Sequence, residues 1–321
     1  MAGRFRRTLA TVRSTGAVPR WLLYIGGATV LVFTLVALAA PLIAPYDFDQ
    51  YRSDGTRFPK LGHPSGDHPF GTTVQSLDVL SRVIWGARTA LEVVVLAVVF
   101  SLIIGVALGL ISGFVGGWLD RVLVLLMDAL FAFPYLLLAI VLSFLLSDAI
   151  GSGVVTTALA ITVVYVPQYF RVVRGSTMSA RELPYVEAAR VIGAKPRTII
   201  VRYLLANVVQ SVPVVATLNA GDAILTLAGL GFLGYGIQPT EAAEWGYDLQ
   251  RAVSDANAGI WWTALYPGLA ITVLVVALTI LGEGLNEVLN PTLRRRRAFA
   301  FLLPGRSAST QAPVLAAKEP R

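Results

Sequence analysis

Residues 184–205 read PYVEAARVIGAKPRTIIVRYLL, a short amphipathic segment carrying four basic residues between long apolar runs. Pro184 suits the first turn of a helix, where a missing N–H is no loss, and Glu187 is favourable near the positive helix end. The short side chains of Ala188 and Ala189 are expected to leave one surface low and open. Gly193 permits a tight turn, and Lys195, Pro196 and Arg197 open a second helical piece running through Ile199, Ile200 and Tyr203 into the next apolar stretch. The expectation is a short helix, a bend and a continuous rigid arm.

The surroundings decide what such an arm is attached to. The chain has 321 residues, of which 55% are hydrophobic and 14% charged, whereas soluble domains carry about 25% charged residues. Its charges gather in short blocks between runs of the length, about 20 residues, that crosses a bilayer. No segment shows the alternating pattern of an outer-membrane barrel. The class is therefore an all-α polytopic membrane protein.

Six spans are expected: Trp21 to Tyr46, Thr89 to Gly113, Val122 to Leu146, Val154 to Phe170, Leu204 to Leu227, and Trp261 to Leu281. The first is too long for a signal-peptide core and lacks a small-residue cleavage site, so it is read as retained. Basic residues set the orientation. The amino terminus holds Arg4, Arg6, Arg7, Arg13 and Arg20, the 171–202 loop holds seven, and the tail opens with Arg294 to Arg297, whereas the 233–260 loop is acidic apart from Arg251. By the positive-inside rule both termini and the 171–202 loop are expected in the cytoplasm.

The resulting organisation is a basic amino-terminal segment (1–21), a first transmembrane helix (22–46), an extracytoplasmic segment (47–88), a five-helix core (89–291) and a basic tail (292–321) expected to be disordered. Arg52, Arg57, Lys60, Arg82 and Arg88 make the 47–88 segment more basic than the rule favours.

Several function classes are excluded by composition. There is no cysteine, and only His63 and His68 among histidines, so neither a thiol site nor a histidine-rich metal site is expected. No phosphate-binding loop, His-Glu-x-x-His pair or nucleophile elbow occurs, so no catalytic residue is assigned. The net charge of +7 lies beside hydrophobic runs, where it reports topology rather than nucleic-acid binding. If hydrolysis drives this protein, another chain performs it.

Within the spans, Gly105, Gly109 and Gly113 share one helix face and allow close approach of another backbone, within the chain or between subunits. Asp128 and Pro134 mark a joint in the third span, where proline frees a carbonyl; Asp128 reads either as a paired interfacial carboxylate or as part of a pathway. Counting about 1.5 Å per residue from Leu204 places Asp222 near the outer end of the fifth span, as a pathway carboxylate or a cap for the glycines that follow.

The arm itself has two readings on physical grounds. It enters a cleft in a partner protein and transmits that partner's motion, or it lies on anionic lipid through its arginines. The pattern Glu187-Ala188-Ala189 with Gly193 and the apolar continuation from Ile199 to Leu205 resembles the EAA loop of ABC importer permeases. Over residues 22–291 the chain resembles dipeptide/oligopeptide permease C-type subunits, with matching pieces HPFGT (68–72), DVLSRVIWGAR (78–88), DALFAFP (128–134) and PGLAITVLVVALTILGEGLNEVLNP (267–291). It departs from the family at Ala206, where proline is usual, in TVQSLD after HPFGT, and at Asp222, where glutamate is common.

The resemblance implies a type I importer permease fold in a prokaryotic cytoplasmic membrane. Glu187, Ala188, Ala189, Arg190, Gly193 and Ala194 would form the ATPase-coupling segment, and Asp128, Pro134 and Asp222 a pathway or gate. Implied partners are a second homologous permease, two ATPase subunits carrying ATP and Mg, an extracytoplasmic binding protein, a dipeptide or short oligopeptide, and membrane lipid. The same importer class carrying nickel complexes or another small solute is an alternative. An ion-coupled secondary transporter is a more distant one, predicting an inverted repeat and a midplane ion site.

Overall fold

The computed structural model describes residues 17–289. Arg4 to Arg13 and the 292–321 tail lie outside the described residues. The fold is built almost wholly of helices, and its one sheet is a hairpin pairing β1 (Arg52–Ser53) with β2 (Thr56–Arg57). Asp54 and Gly55 turn that hairpin at positive φ, as a tight two-residue connection requires.

α1 (Ala17–Ile43) begins within the stretch read as a basic amino-terminal segment. α2 (Val79–Val115) starts ten residues before the expected second span, because Asp78 caps it by accepting from the Ser81 N–H at 2.8 Å. At 37 residues it is about 55 Å long, well beyond the roughly 30 Å hydrocarbon core. The last part of the expected 47–88 segment is thus helical.

The third span is not one helix. α3 (Gly117–Ala132) and α4 (Tyr135–Ile150) meet at an angle of 98°. Phe133, preceding proline, is held extended at φ −78° and ψ 141°, and Pro134 offers no N–H to continue the ladder. α5 (Val154–Arg181) is a single element with Pro167 inside it.

α6 (Pro184–Val191) is the expected short helix. Beyond it, α7 (Pro196–Thr198), a π-helical turn (Ile199–Leu204), α8 (Leu205–Val208) and a 3-10 turn (Val209–Ser211) lead into α9 (Val212–Phe232). Regular helix in the fifth span therefore starts at Val212 rather than Leu204. The 233–260 connection contains α10 (Trp245–Asn257), and α11 (Trp262–Leu289) closes the bundle.

Among the described residues, four helices are long and apolar enough to cross a membrane: Arg20–Ile43, Val79–Val115, Val212–Phe232 and Trp262–Val288. The bent α3–α4 pair makes five. α5 falls outside this set, since Thr156, Thr157, Thr162, Gln168 and its arginines dilute the apolar run. Its threonines, Thr156, Thr157, Thr162 and Thr177, are nonetheless buried, because α5 runs through the middle of the bundle.

α2 and α5 form the closest pair. A Cβ on Gly105 would lie 2.9 Å from the Val166 carbonyl oxygen, one on Gly109 2.8 Å from that of Phe170, and one on Gly113 2.8 Å from that of Arg174. The glycine stripe is an intrachain seam. Ala97, Ile161, Val173, Leu204, Leu227, Leu230 and Leu274 fill the core, while Leu38, Val95, Ile103 and Phe144 stay exposed on faces suited to lipid or other subunits.

Candidate functional site

Two regions carry the residues singled out by sequence, and α5 and the helical run 196–232 join them. The first is α6. Pro184 occupies its first turn and Glu187 lies in that turn as well. Its end is a Schellman arrangement: Gly193 N–H donates to the Arg190 carbonyl at 2.9 Å and Ala194 N–H to the Ala189 carbonyl at 3.0 Å. Gly193 has φ +77°, which a residue with a Cβ adopts only with strain.

Val186 and Ala189 seat α6 against the bundle and are fully or nearly fully buried. Ala189 therefore does not share an open surface with Ala188, because consecutive helical residues point about 100° apart. Glu187, Ala188, Arg190 and Gly193 are exposed, and Ala194 is half-buried. Two residues not singled out by sequence stand with them: Val191 and Ile192 are 83% and 76% exposed. An apolar pair ending an otherwise polar helix was the available signal.

The seat is reinforced by polar contacts. Arg181 Nη1 donates to the Gly113 carbonyl at 2.9 Å, tying the end of α5 to α2. Asn207 Nδ2 donates to the Tyr185 hydroxyl at 3.0 Å, so α6 and the irregular run toward α9 are held together. The Arg190 guanidinium lies 5.7 Å from the centre of the Phe114 ring.

The second region is a cavity of about 320 Å³ at the α3–α4 bend. Pro134 and Tyr135 come from the bend, Tyr165 and Gln168 from α5, and Asp222 and Leu225 from α9. Asp222 thus stands halfway along α9, not near the outer end of a span. The count starts at Leu204, whereas the helix long and apolar enough to span runs from Val212 to Phe232 and residues 204–211 precede it. Behind the cavity, the Thr226 hydroxyl donates to the Asp222 carbonyl at 2.9 Å and lies 3.0 Å from the Tyr165 hydroxyl.

Asp128 does not line the cavity. Its carboxylate accepts from Arg171 Nη2 at 2.7 Å, and the Arg171 guanidinium lies 4.0 Å from the centre of the Phe131 ring, at the cavity edge. Asp120, one turn from the start of α3, accepts from Arg174 Nε and Nη2 at 2.6 and 2.7 Å. Two acidic residues of α3 are thereby latched to α5, and Pro134 and Asp222 meet in one cavity.

A third cluster, at the opposite end of α2 from α6, was not singled out as a site by sequence, although the pieces HPFGT and DVLSRVIWGAR supply His68, Asp78 and Arg82 to it. Arg82 is buried, donates through Nε to both carboxylate oxygens of Asp248 and through Nη1 to the Phe48 carbonyl at 3.0 Å. Burial pushes the Asp248 carboxyl upward despite the opposing pull of Arg82. Glu244 caps α10, accepting from the Gly246 and Tyr247 N–H groups at 2.8 and 2.7 Å. It packs so closely on Gly231 that no Cβ fits there, and burial pushes its carboxyl up to about 8. His68 Nδ1 lies 2.9 Å from Asp78 Oδ1, joining the HPFGT turn to the α2 cap.

Among the described residues no group of three or more His, Cys, Asp or Glu side chains is gathered to hold a metal ion. What the arrangement offers is mechanical and electrostatic: an exposed helix, an arm, and a cavity bearing one carboxylate.

Comparison with known proteins accounts for this arrangement. Residues 105–295 match the family described as binding-protein-dependent transport system inner membrane component. The chain is 40% identical over 266 residues to the glutathione transport system permease protein GsiD of Shigella flexneri serotype 5b, covering 83% of this chain and 84% of that one. The glutathione transport system permease protein GsiD of Escherichia coli O6:K15:H31 is 38% identical over the same shares. The chain belongs to the family of binding-protein-dependent transport system inner membrane components, as a permease subunit of an ABC importer of the peptide type.

Proposed function

We propose that this chain forms half of the translocation pathway of an ATP-driven importer for dipeptides or short oligopeptides, glutathione-like tripeptides included. A second homologous permease supplies the other half. Two ATPase subunits, carrying ATP and Mg, act on the exposed face of α6, and an extracytoplasmic binding protein delivers the peptide. The chain sits in a bacterial inner membrane with both termini on the cytoplasmic side.

The observation that carries this reading is the physical continuity from α6 to the cavity. The exposed residues Glu187, Ala188, Arg190, Val191, Ile192 and Gly193 lie on α6 and the turn that ends it, and α6 is seated by Val186 and Ala189. From its turn at Gly193 the chain runs helically into α9, which presents Asp222 to the cavity. Motion of a partner against α6 is thereby delivered to a pathway wall. The bend at Pro134 and the Arg171–Asp128 and Arg174–Asp120 contacts give the opposite wall a joint and two tethers. This chain supplies the path and the lever, and the hydrolysis belongs to its partners.

The test is isolation of the chain from its own membrane in mild detergent, with identification of everything retained. Recovery of a second permease and one or two phosphate-loop ATPases is the expected outcome. Reproducible recovery of a transport-active chain alone would overturn the assignment.

A further inference from the structure

The wall of the α3–α4 cavity carries an exposed carboxylate, Asp222, that no cation among the described residues balances. Asp120, Asp128 and Asp248 each have an arginine within ion-pair distance. Among the described residues the Asp222 carboxylate has neither an ion-pair nor a hydrogen-bond partner, although it sits halfway along a helix apolar enough to span a membrane. Tyr165 does not satisfy it, because its hydroxyl meets Thr226, which in turn donates to the Asp222 main-chain carbonyl. Asp222 is exposed on the cavity wall, so its carboxylate is open to a cationic group that enters the cavity from outside the chain.

The neighbours narrow the chemistry of that partner. Gln168 faces the same cavity with no hydrogen bond of its own among the described residues, so its amide oxygen is available as an acceptor. Tyr135 and Tyr165 also line the cavity, so aromatic side chains of the kind that attract a cation border it. The Arg171 guanidinium at the edge is already matched by Asp128. A carboxylate, an amide oxygen and aromatic side chains suit an alkylammonium group, which brings three N–H donors and an apolar stem. A bare metal ion finds too few oxygens here.

We propose that Asp222, with Gln168, forms a transit site for the terminal ammonium group of the peptide as it passes the α3–α4 bend. The proposal rests on the reading of this cavity as part of the translocation pathway. Peptide carboxylates are not held at this site, so the amino end is guided along this chain's wall.

The test uses the complete transporter reconstituted in vesicles and one tripeptide in three forms: free, N-acetylated and C-amidated. Each variant rate is divided by the wild-type rate for the same peptide, which removes selection by the binding protein. Asp222→Asn is expected to slow the free and C-amidated forms about tenfold and leave the N-acetylated form within about twofold. Asp222→Glu, which keeps the charge, is expected to preserve wild-type discrimination. Gln168→Leu gives an independent reading of the same site, with a smaller loss confined to the two amine-bearing peptides. Equal losses for all three peptides, or no loss in either variant, overturn the ammonium site. Leu225→Trp, which fills the cavity, reports separately on the pathway: if it leaves all three rates at the wild-type level, the cavity is off the path and both readings fail together.

Discussion

Arg82 donates through Nε to both oxygens of Asp248, at 2.7 and 2.9 Å, across 166 residues of sequence. The guanidinium and the carboxylate are 2% and 12% exposed, so the pair fastens the start of α2 to α10 out of reach of water. Removing one partner leaves a buried charge without its counter-charge, at a cost of about 3–5 kcal/mol. Arg82→Ala is therefore expected to lower the unfolding temperature in detergent markedly. Arg82→Lys is expected to recover only part of the loss, because a lysine cannot also reach the Phe48 carbonyl. A lysine variant as stable as wild type would show that charge alone matters there.

Glu244 makes the same end sensitive to pH. Burial raises its carboxyl from 4.5 to about 8, so between those values the folded chain holds a proton that the unfolded chain has lost. Folding then takes up a proton, and stability contributed by the group is full below about pH 4.5 and is lost as pH rises through about 8. Thermal unfolding followed from about pH 5 to about pH 9 is expected to show a falling midpoint in the wild type and a flatter profile in Glu244→Gln. Parallel profiles for the two proteins would remove the proton from Glu244.

These two residues also show where sequence reading stops. α6 was legible because its signals are local: Pro184 in the first turn, Glu187 beside it and Gly193 at the turn all lie within ten residues. The α3–α4 break was half-legible. Pro134 announces a joint, but neither its angle of 98° nor the contacts of α3 to α5 through Asp120 and Asp128 shows in a local pattern. Asp222 was counted from Leu204, whereas the apolar helix long enough to span begins eight residues later, at Val212, and nothing in the apolar run from 204 marks that start. Arg82 read as one more basic residue in an outer loop, since nothing in a linear pattern reveals a partner 166 residues away.

The α2–α5 seam makes a steric prediction. At Gly109 an added Cβ would meet the Phe170 carbonyl oxygen at 2.8 Å and the Val173 Cβ at 2.9 Å, both on a neighbouring helix that cannot swing aside as a side chain can. Gly109→Leu is expected to cost about 1–3 kcal/mol, and Gly109→Ala less. Gly175, around which an added Cβ meets nothing within 4 Å, is the control on α5, where alanine is expected to be tolerated. Protease resistance of the purified variants in detergent ranks them, and equal resistance of Gly109→Leu and wild type would mean that the two helices separate more easily than their contacts imply.

The exposed end of α6 separates partner docking from lipid binding. Val191 and Ile192 project 83% and 76% exposed beside the Gly193 turn, and none of the three supports the fold through buried contacts. If this end enters a cleft on an ATPase, Ile192→Asp places a charge into an apolar contact and is expected to reduce co-purification of the ATPase at least tenfold, about 1.4 kcal/mol, with the chain's own thermal midpoint unchanged. Gly193→Val forces a branched side chain to φ +77° and is expected to act on both readouts, since it disturbs the Schellman turn that positions the apolar pair. If α6 instead rests on anionic lipid, the Ile192→Asp chain keeps its ATPase and loses affinity for vesicles containing anionic lipid. The two outcomes are read on the same preparation, by retained ATPase and by vesicle flotation, and only the first is compatible with α6 as the lever that moves the Asp222 wall.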